Sequence, residues 1–262
     1  MPSPFHTSMG MGIFVAIRTN FSKQIFRNFA AMDILYVDNH LVIVNKRPGE
    51  IVQGDKTGDT PLVETVRQWI KETYAKPGNV FCGLVHRLDR PVGGVVMFAR
   101  TSKGLSRFNE MFRNGDVNKK YWAIVRNRPP KDEDVLTSYI TSVERNNKSY
   151  VSPTPKPGAK EAKLSYRLIA QSDRYFLLEI DLLTGRKHQI RAQLASIGCP
   201  VKGDLKYGDK RSNPDGSISL IARHIEFTHP ISKKLVSVDA PLPDDTLWQA
   251  LAANITPTTT NG

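Results

Sequence analysis

One carboxylate stands between two arginines in the segment GLVHRLDR, residues 83–90. Arg87 and Arg90 flank Asp89, and a glycine-containing apolar run follows at once. Neighbouring guanidinium groups keep a carboxylate ionised at neutral pH, which is the state that a nucleophile or an electrostatic stabiliser requires. The same spacing fits a turn aspartate that pairs with an adjacent arginine. The residues alone therefore leave Asp89 open between a catalytic role and a structural one.

A second group of chemistry-bearing side chains stands in the segment TGRKHQIR. The pattern predicts a helix that Thr184 caps. Its first turns would carry the cationic side chains Arg186, Lys187 and Arg191. A helix N-terminus attracts anions, and arginine adds forked donors for a carboxylate or a phosphate. This basic helix end therefore suits either Asp89 or RNA.

The overall charge favours a polyanionic partner. The chain of 262 residues has 37 Lys and Arg against 25 Asp and Glu, a net charge of +12. Nine cations, against two acids, lie between residues 100 and 131: Arg100, Lys103, Arg107, Arg113, Lys119, Lys120, Arg126, Arg128 and Lys131. Such a surface can bind RNA phosphates and release their counterions. An ordinary solvated helix face would give the same counts.

Composition excludes several protein classes. Hydrophobic residues make up 40% of the chain and charged residues 24%, as in a globular protein that dissolves in water. The sequence contains no apolar run of the roughly 18 to 20 residues that a membrane helix needs. Cys82 and Cys199 lack metal-ligand spacing, so we predict reduced thiols, no metal and a cytoplasmic location. His86 and His188 have no serine or cysteine nucleophile beside them, and we expect both to be structural.

Hydrophobic periodicity predicts the elements that must position these side chains. Strands are expected as two runs within residues 34–46 and at residues 92–99, 120–125, 162–170, 175–183, 219–228 and 235–239. Helices are expected after Thr60 and Pro61, from residue 101 or 102 to 115, and from 184 to 198. Strands dominate without regular βα alternation. The predicted fold class is therefore α+β, with an antiparallel or mixed sheet and a few flanking helices.

Composition also divides the chain into parts. Residues 1–31 contain no acidic residue, and we expect a disordered N-terminal extension there. The compact domain is expected at residues 32–253, and a disordered polar tail at residues 254–262. The loop from Arg145 to Lys163 is rich in Pro, Ser and Lys, which is typical of a mobile phosphate-contacting arm or of a plain surface connection.

Three segments in register resemble one known family, the RluA-type pseudouridine synthases. The main motifs of that family are similar, in order and spacing, to HRLDRPVGGVVMFART at 86–101, KKYWAIV at 119–125 and TGRKHQIRAQLASIGCPVKGDLKYG at 184–208. The resemblance covers about residues 32–245. It implies a catalytic domain with a central mixed, largely antiparallel sheet and an active-site cleft. It also implies isomerisation of uridine to pseudouridine in RNA without a cofactor or a metal.

The resemblance assigns roles by position. Asp89 matches the catalytic aspartate, Tyr121 the aromatic residue that stacks on the target base, and Arg191 the arginine that pairs with the aspartate. Arg87 resembles the arginine that helps to fill the space left by the flipped nucleotide. Tyr121 is also a candidate for removing the proton at carbon 5, although an ordinary tyrosine pKa of about 10 disfavours this second role.

RNA contacts are predicted for the basic residues around these motifs: Arg87, Arg90, Arg107, Arg113, Lys119, Lys120, Arg186 and Lys187. The expected partner is structured RNA, either tRNA or rRNA, bound by a monomer without a membrane. The small N-terminal RNA-binding domain of some relatives is expected to be absent. The chain departs from the family pattern with VGG at 92–94 in place of Thr-Ser-Gly, Lys187 in place of Thr and Gln193 in place of His.

Two rival classes share part of these features. A non-catalytic RNA-binding protein would carry the same charge, but a carboxylate at its binding surface would repel phosphate. A hydrolase of a small anionic substrate would use the basic helix end and Asp89 without needing a net charge of +12. The sequence also leaves open whether Asp89 attacks the ribose or the base.

Overall fold

The structure is a computed structural model that describes residues 32–255. Its strands are β1 Asp33–Val37, β2 Leu41–Lys46, β3 Gly83–Leu84, β4 Gly93–Ala99, β5 Asn118–Val125, β6 Glu133–Val143, β7 Lys148–Ser152, β8 Lys160–Gln171, β9 Phe176–Leu182, β10 Leu220–Thr228 and β11 Leu235–Asp239. Its helices are α1 Leu62–Thr73, α2 Ser102–Asn114, α3 Gln189–Ser196 and α4 Thr246–Ala253. The expectations for residues 1–31 and 256–262 lie outside the described residues.

The eleven strands of the described chain form one mixed sheet. The order along the sheet is β1-β2-β4-β10-β5-β9-β8-β6-β7, with β3 paired to β4 and β11 paired to β10. β4 and β10 run parallel, whereas the other neighbouring strands within residues 32–255 run antiparallel. The predicted fold class, α+β with a mixed, largely antiparallel sheet, is confirmed.

A glycine makes the parallel pair possible. Gly93 pairs with Ile221, and Gly94 pairs with Ala222. Gly94 has φ +108°, and a Cβ at this position would overlap the backbone of Ala222. Only glycine combines this left-handed conformation with so close an approach. The VGG sequence at 92–94 therefore lets β4 meet β10 just after the segment that carries Asp89.

Apolar layers cover both faces of the sheet. The alternation of β2 shows this, because Val42 and Val44 belong to one buried cluster and Leu41 and Ile43 to the other. Helices α1 and α3 cover the face of Val42 with Leu62, Val66, Ile70, Ile190 and Leu194. Helices α2 and α4 cover the opposite face with Phe108, Met111, Trp248 and Leu251.

Helix ends show where local signals decide the structure. Helix α2 follows its prediction, because Thr101 Oγ1 accepts a hydrogen bond from the Gly104 N–H at 3.0 Å. Gly115 then ends α2 with φ +83°. The predicted cap of α1 was wrong by one residue: Pro61 occupies the N-cap position without a side-chain hydrogen bond, and the helix begins at the next residue.

The polar hairpin of β6 and β7 was not predicted. Much of the segment from 145 to 163 is regular structure, since Lys148–Ser152 forms β7 and residues 160–163 open β8. The prediction of a mobile arm is therefore wrong for these residues. Within β6 only Ser138 and Ile140 are buried, so the apolar alternation that identifies a strand is nearly missing. Helix α4 was also not predicted.

Candidate active site

A cavity of about 1170 Å³ brings together three residues that are distant in sequence. Asp89 comes from the segment between β3 and β4, Tyr121 from β5 and Arg191 from α3, and all three line this cavity. The sheet order places β5 beside β10, which in turn pairs with β4. The topology therefore brings these side chains to one site, as the sequence analysis predicts.

A buried lysine holds the segment that carries Asp89. Lys46 is 1% exposed, and its Nζ donates hydrogen bonds to the carbonyl oxygens of Arg47 (3.0 Å), Arg90 (3.1 Å) and Val92 (2.7 Å). Burial lowers the pKa of Lys46 to about 8. Because Lys46 ends β2, which pairs with β1 on one side and β4 on the other, it fixes the Asp89 backbone to the sheet.

Arg191 forms a three-point bridge between two aspartates. Its Nη1 donates to Asp89 Oδ2 at 3.0 Å, while Nε and Nη2 donate to the two carboxylate oxygens of Asp204 at 2.6 and 2.9 Å. Asp204 is 1% exposed, so this ion pair is shielded from water. Burial acts to lower the pKa of Arg191, but the hydrogen bonds and charge of Asp204 outweigh it and raise that pKa. The fork is thereby fixed, with one nitrogen aimed at Asp89.

His188 lies against Asp89 without a hydrogen bond. The distance from His188 Nε2 to Asp89 Oδ2 is 3.7 Å, and His188 Nδ1 is 2.9 Å from the Tyr207 hydroxyl. That hydroxyl also accepts a hydrogen bond from the Ser149 N–H at 2.8 Å. Burial lowers the pKa of His188 to about 4 despite the charge of Asp89. At neutral pH the imidazole is therefore uncharged.

Tyr121 lines the cavity and is buried, with 8% of its surface exposed. Burial and the negative charge of Asp89 both raise the pKa of its hydroxyl above the ordinary value. The phenol therefore stays protonated at neutral pH. A protonated phenol retains an aromatic face for stacking, but it is a poor acceptor for a proton from carbon 5.

The basic loop before α3 differs from its prediction. Helix α3 begins at Gln189 with no side-chain cap, and His188 precedes it with φ +55°. Thr184 Oγ1 donates to Gln189 Oε1 at 2.8 Å, and the Arg186 N–H donates to the same oxygen at 3.0 Å. The predicted cap at Thr184 was wrong, because Gln189 closes residues 184–188 into a loop. Arg186 and Lys187 thus stand on that loop and not on the helix.

Gln193 shows how α3 is held in place. It occupies the position where the family frequently has His, and it is 1% exposed. Its Nε2 donates to the carbonyl oxygens of Leu136 (3.2 Å) and Ala162 (3.1 Å) and to Ser138 Oγ (2.9 Å). These bonds fix α3 to β6 and β8, and so they fix the position of Arg191 on the same helix.

The predicted RNA-contacting residues divide into two groups. Five line the cavity: Arg87, Arg113, Lys119, Arg186 and Lys187. Arg90, Arg107 and Lys120 do not line it. Arg90 pairs with Asp59, and Lys120 Nζ lies 3.3 Å from Glu179 and 3.1 Å from Asp181. RNA contact by these three residues stays a prediction about the surface outside the cavity.

Sequence reasoning did not single out Asp204, Tyr207 or Lys46. Asp204 and Tyr207 lie within the third motif, in an irregular segment after α3. Hydrophobic periodicity predicts helices and strands but not how such a segment folds back, so their contacts with Arg191 and His188 could not be predicted. Lys46 follows an apolar run, where a terminal lysine is ordinarily solvated. Within residues 32–255, no group of three His, Cys, Asp or Glu side chains could hold a metal ion, and no helix there could cross a membrane.

The fold and the site together point to one protein family. A mixed sheet carries a cavity that contains an arginine-held carboxylate, a buried tyrosine and several cations. The model of the family described as RNA pseudouridylate synthase matches residues 40–196, and the chain belongs to this family. The family predicted from the motifs is confirmed.

Curated relatives carry similar names. The chain is 30% identical over 215 residues to the ribosomal large subunit pseudouridine synthase C of Vibrio cholerae, covering 80% of this chain and 65% of that protein. It is 30% identical over 241 residues to the tRNA pseudouridine synthase C of Pectobacterium carotovorum, covering 84% of this chain and 61% of that protein. The chain thus spans less than two thirds of each of these relatives.

A solved structure has the same fold. The human RNA pseudouridylate synthase domain containing 4 is 25% identical, with a TM-score of 0.68. The match covers 81% of this chain and 89% of the human one. This similarity supports the overall fold.

Proposed function

We propose that this chain converts uridine to pseudouridine in structured RNA, with Asp89 as the nucleophile. One observation carries the proposal: Arg191 Nη1 holds Asp89 Oδ2 at 3.0 Å in a cavity that Tyr121 also lines. An RNA-binding protein without catalysis gives no reason to hold a carboxylate at its binding surface. The 26% exposure of the Asp89 side chain leaves it accessible to a base that enters the cavity.

The target base must leave its stack before Asp89 can reach it. Extrusion from structured RNA costs a few kcal/mol. Stacking on Tyr121 offsets part of this cost, since base stacking on an aromatic side chain contributes about 1–3 kcal/mol. Phosphate contacts by Arg113, Lys119 and Arg186 supply more, because each is a cation that lines the cavity. Arg87 would occupy the space that the extruded nucleotide leaves.

The geometry at Asp89 supports covalent catalysis. Arg191 engages Oδ2, so Oδ1 stays free to attack the ribose anomeric carbon or the pyrimidine ring. In an attack on the ribose, Oδ1 bonds to the anomeric carbon as the bond from N1 breaks, and the Oδ1 bond breaks again when carbon 5 of the turned base bonds to that carbon. In an attack on the ring, the bond from Oδ1 to the ring carbon breaks after the base has turned and carbon 5 has bonded to the anomeric carbon. The proton at carbon 5 is released, and N1 gains one. Atoms and charge balance without a co-reactant, in keeping with the expectation of no cofactor and no metal.

The surrounding groups keep Asp89 a reactive anion. Arg191 offsets the cost of a carboxylate in a poorly hydrated pocket. Asp204 accepts hydrogen bonds from two nitrogens of the Arg191 guanidinium, so the two aspartates share its positive charge. Asp89 therefore keeps enough negative charge to act as a nucleophile. Neutral His188 adds no second cation. The raised pKa of Tyr121 supports stacking as its role, and not removal of the proton at carbon 5.

The RNA is proposed to be tRNA or rRNA. One of the two bacterial relatives is named for the ribosomal large subunit and the other for tRNA. Both are 30% identical to this chain, so sequence identity does not favour either RNA class. The expected monomer, the absence of a membrane partner and the cytoplasmic location stay predictions.

Unmodified transcripts test the proposed activity directly. The purified chain is incubated with tRNA and rRNA transcripts that carry tritium at carbon 5 of uridine, and release of tritium to water is measured. The proposal predicts release from at least one RNA class, with pseudouridine at a defined position. An RNA that binds the chain tightly but never releases tritium would instead identify a non-catalytic RNA-binding protein.

A further inference from the structure

We propose that Tyr207 is a positioning residue, which holds the two side chains that flank the Asp89 carboxylate. The proposal rests on the proposed function and deepens it, because it names the group that orients the neighbours of the nucleophile. Tyr207 is 8% exposed and does not line the cavity, so it acts on the substrate only through other residues. Those residues are His188 and Arg191, which both line the cavity.

The hydroxyl of Tyr207 connects β7 to His188. It accepts a hydrogen bond from the Ser149 N–H at 2.8 Å, and it lies 2.9 Å from His188 Nδ1. The other imidazole nitrogen, Nε2, is 3.7 Å from Asp89 Oδ2. Because the imidazole ring is rigid, a contact at Nδ1 also sets the direction of Nε2. The hydroxyl therefore determines how His188 faces the carboxylate.

The backbone of His188 shows why its side chain needs a fixed partner. His188 has φ +55°, a left-handed conformation that is costly for a residue with a Cβ and persists only when its surroundings hold it. Ser149 Oγ donates to the carbonyl oxygen of Lys187 at 2.7 Å, immediately before this residue. Ser149 thus holds the backbone directly, and it holds the imidazole through the Tyr207 hydroxyl.

The aromatic ring of Tyr207 supports Arg191. The Cζ atom of Arg191 lies over this ring, 5.0 Å from its centroid. An aromatic face attracts a guanidinium within roughly 6 Å. Asp204 and Asp89 accept hydrogen bonds from the edge of the same guanidinium. The two carboxylates therefore fix the group within its plane, while the ring restricts its movement out of that plane.

One short turn supplies both supports of Arg191. Residues Leu205–Tyr207 form a 3₁₀ turn, in which the Tyr207 N–H donates to the Asp204 carbonyl oxygen at 3.1 Å. The carboxylate of Asp204 and the ring of Tyr207 are thereby held at a fixed separation. Leucine would fill the same space without an aromatic face, and phenylalanine would lack the hydroxyl that meets His188. The combination of contacts requires tyrosine.

Two variants separate the hydroxyl from the ring, on a tRNA or rRNA transcript that releases tritium. Y207F keeps the ring, and its single-turnover rate should fall roughly 3- to 10-fold, as expected for one lost hydrogen bond. Y207L removes the ring as well and should lose roughly 10- to 100-fold. The RNA Kd should stay within about twofold in both, because Tyr207 does not line the cavity. Equal losses in rate and affinity would overturn the proposal.

A second buried tyrosine provides a matched control. Tyr166 is 3% exposed on β8, and its hydroxyl donates to the carbonyl oxygen of Lys131 at 3.3 Å. It does not line the cavity. Y166F therefore also removes one hydroxyl from a buried ring, and it should keep the wild-type rate and Kd. A Y207F protein with the same rate as Y166F would overturn the proposal, since a merely structural role makes the two variants alike.

A double variant tests the route through His188. If the hydroxyl acts through the imidazole, adding Y207F to H188Q should leave the single-turnover rate of H188Q unchanged within about twofold. A loss in the double variant equal to the product of the two single losses would overturn this route.

Nitrogen NMR separates this proposal from the activity. The imidazole nitrogen signals of His188, assigned by their absence in H188Q, report on Nδ1 without turnover. The Nδ1 signal should shift in Y207F and stay in place in Y166F, and an unchanged signal in Y207F would overturn the proposal. If the wild type makes no pseudouridine while this signal depends on Tyr207, the proposed function fails and the positioning of His188 stands. If the wild type is active and Y207F keeps its full rate, the positioning proposal fails alone.

Discussion

Replacing Arg191 by Met should separate the folding role of this arginine from its catalytic role. Arg191 is the only cation within 4.0 Å of Asp204 among residues 32–255, and it also holds Asp89. Methionine has a similar length without charge or donors. We expect the variant to be less stable and inactive, and we expect the double variant R191M/D204N to recover stability without activity.

The magnitudes follow from burial. The side chains of Arg191 and Asp204 are 6% and 1% exposed, and breaking a buried pair by removing one partner costs about 3–5 kcal/mol. This is a large part of the roughly 5–15 kcal/mol by which such domains are stable. Converting Asp204 to Asn removes the orphaned charge and leaves a neutral polar group, which should restore about 1–3 kcal/mol.

Three measurements decide the outcome. Urea unfolding gives the free energy of unfolding, filter binding gives the RNA Kd, and single-turnover assays give the rate of pseudouridine formation. Both variants should lose at least about 100-fold in rate, or roughly 2.7 kcal/mol, with the Kd within about threefold. Recovery of the rate together with stability in the double variant would refute a catalytic role. Equal losses in rate and affinity would instead indicate that Arg191 contacts phosphate.

Two further predictions concern stability. In the folded protein the pKa of His188 is lowered to about 4, whereas its value in the unfolded chain is about 6.5. The neutral, buried His188 therefore contributes its full stability to the fold above about pH 6.5, and this stability is lost as the pH falls toward 4. Unfolding measured at a series of pH values should show a loss of about 3 kcal/mol in the free energy of unfolding. The H188Q variant should show a smaller dependence of that free energy on pH, and the same dependence as in the wild type would contradict this prediction. In G94A the new Cβ overlaps Ala222, which should cost about 2–4 kcal/mol. G185A, with open space around it, is the control, and equal unfolding free energies for G94A and G185A would contradict the steric argument.

Much of the fold could be predicted because local signals and long-range packing agree. The Thr101 cap and Gly115 define α2 at both ends, and the fully buried run of β4 is a continuous apolar stretch. The β6–β7 hairpin lacked such agreement, since its polar, half-exposed strands pair with each other and β6 is held by backbone pairing with β8. Polar strands of this kind look like loops until the neighbouring strand is known.

The site shows a similar division. Asp89, Tyr121 and Arg191 could be proposed from motif resemblance, because each lies in a distinctive local segment. Asp204 and Lys46 could not, since their roles depend on contacts across the fold. Lys46 binds carbonyl oxygens 44 and 46 residues away. The helix predicted from Thr184 failed for the same reason, because a side chain five residues ahead closes a loop there.

The most direct test of the central claim is the conversion of Asp89 to Asn, with Asp173 to Asn as a control on an exposed turn. Asparagine keeps the shape of the side chain and removes the nucleophilic anion. Single-turnover formation of pseudouridine at saturating enzyme should fall below detection in D89N and stay unchanged in D173N, while both variants bind RNA like the wild type. A D89N protein that still forms pseudouridine at the wild-type rate would contradict the account.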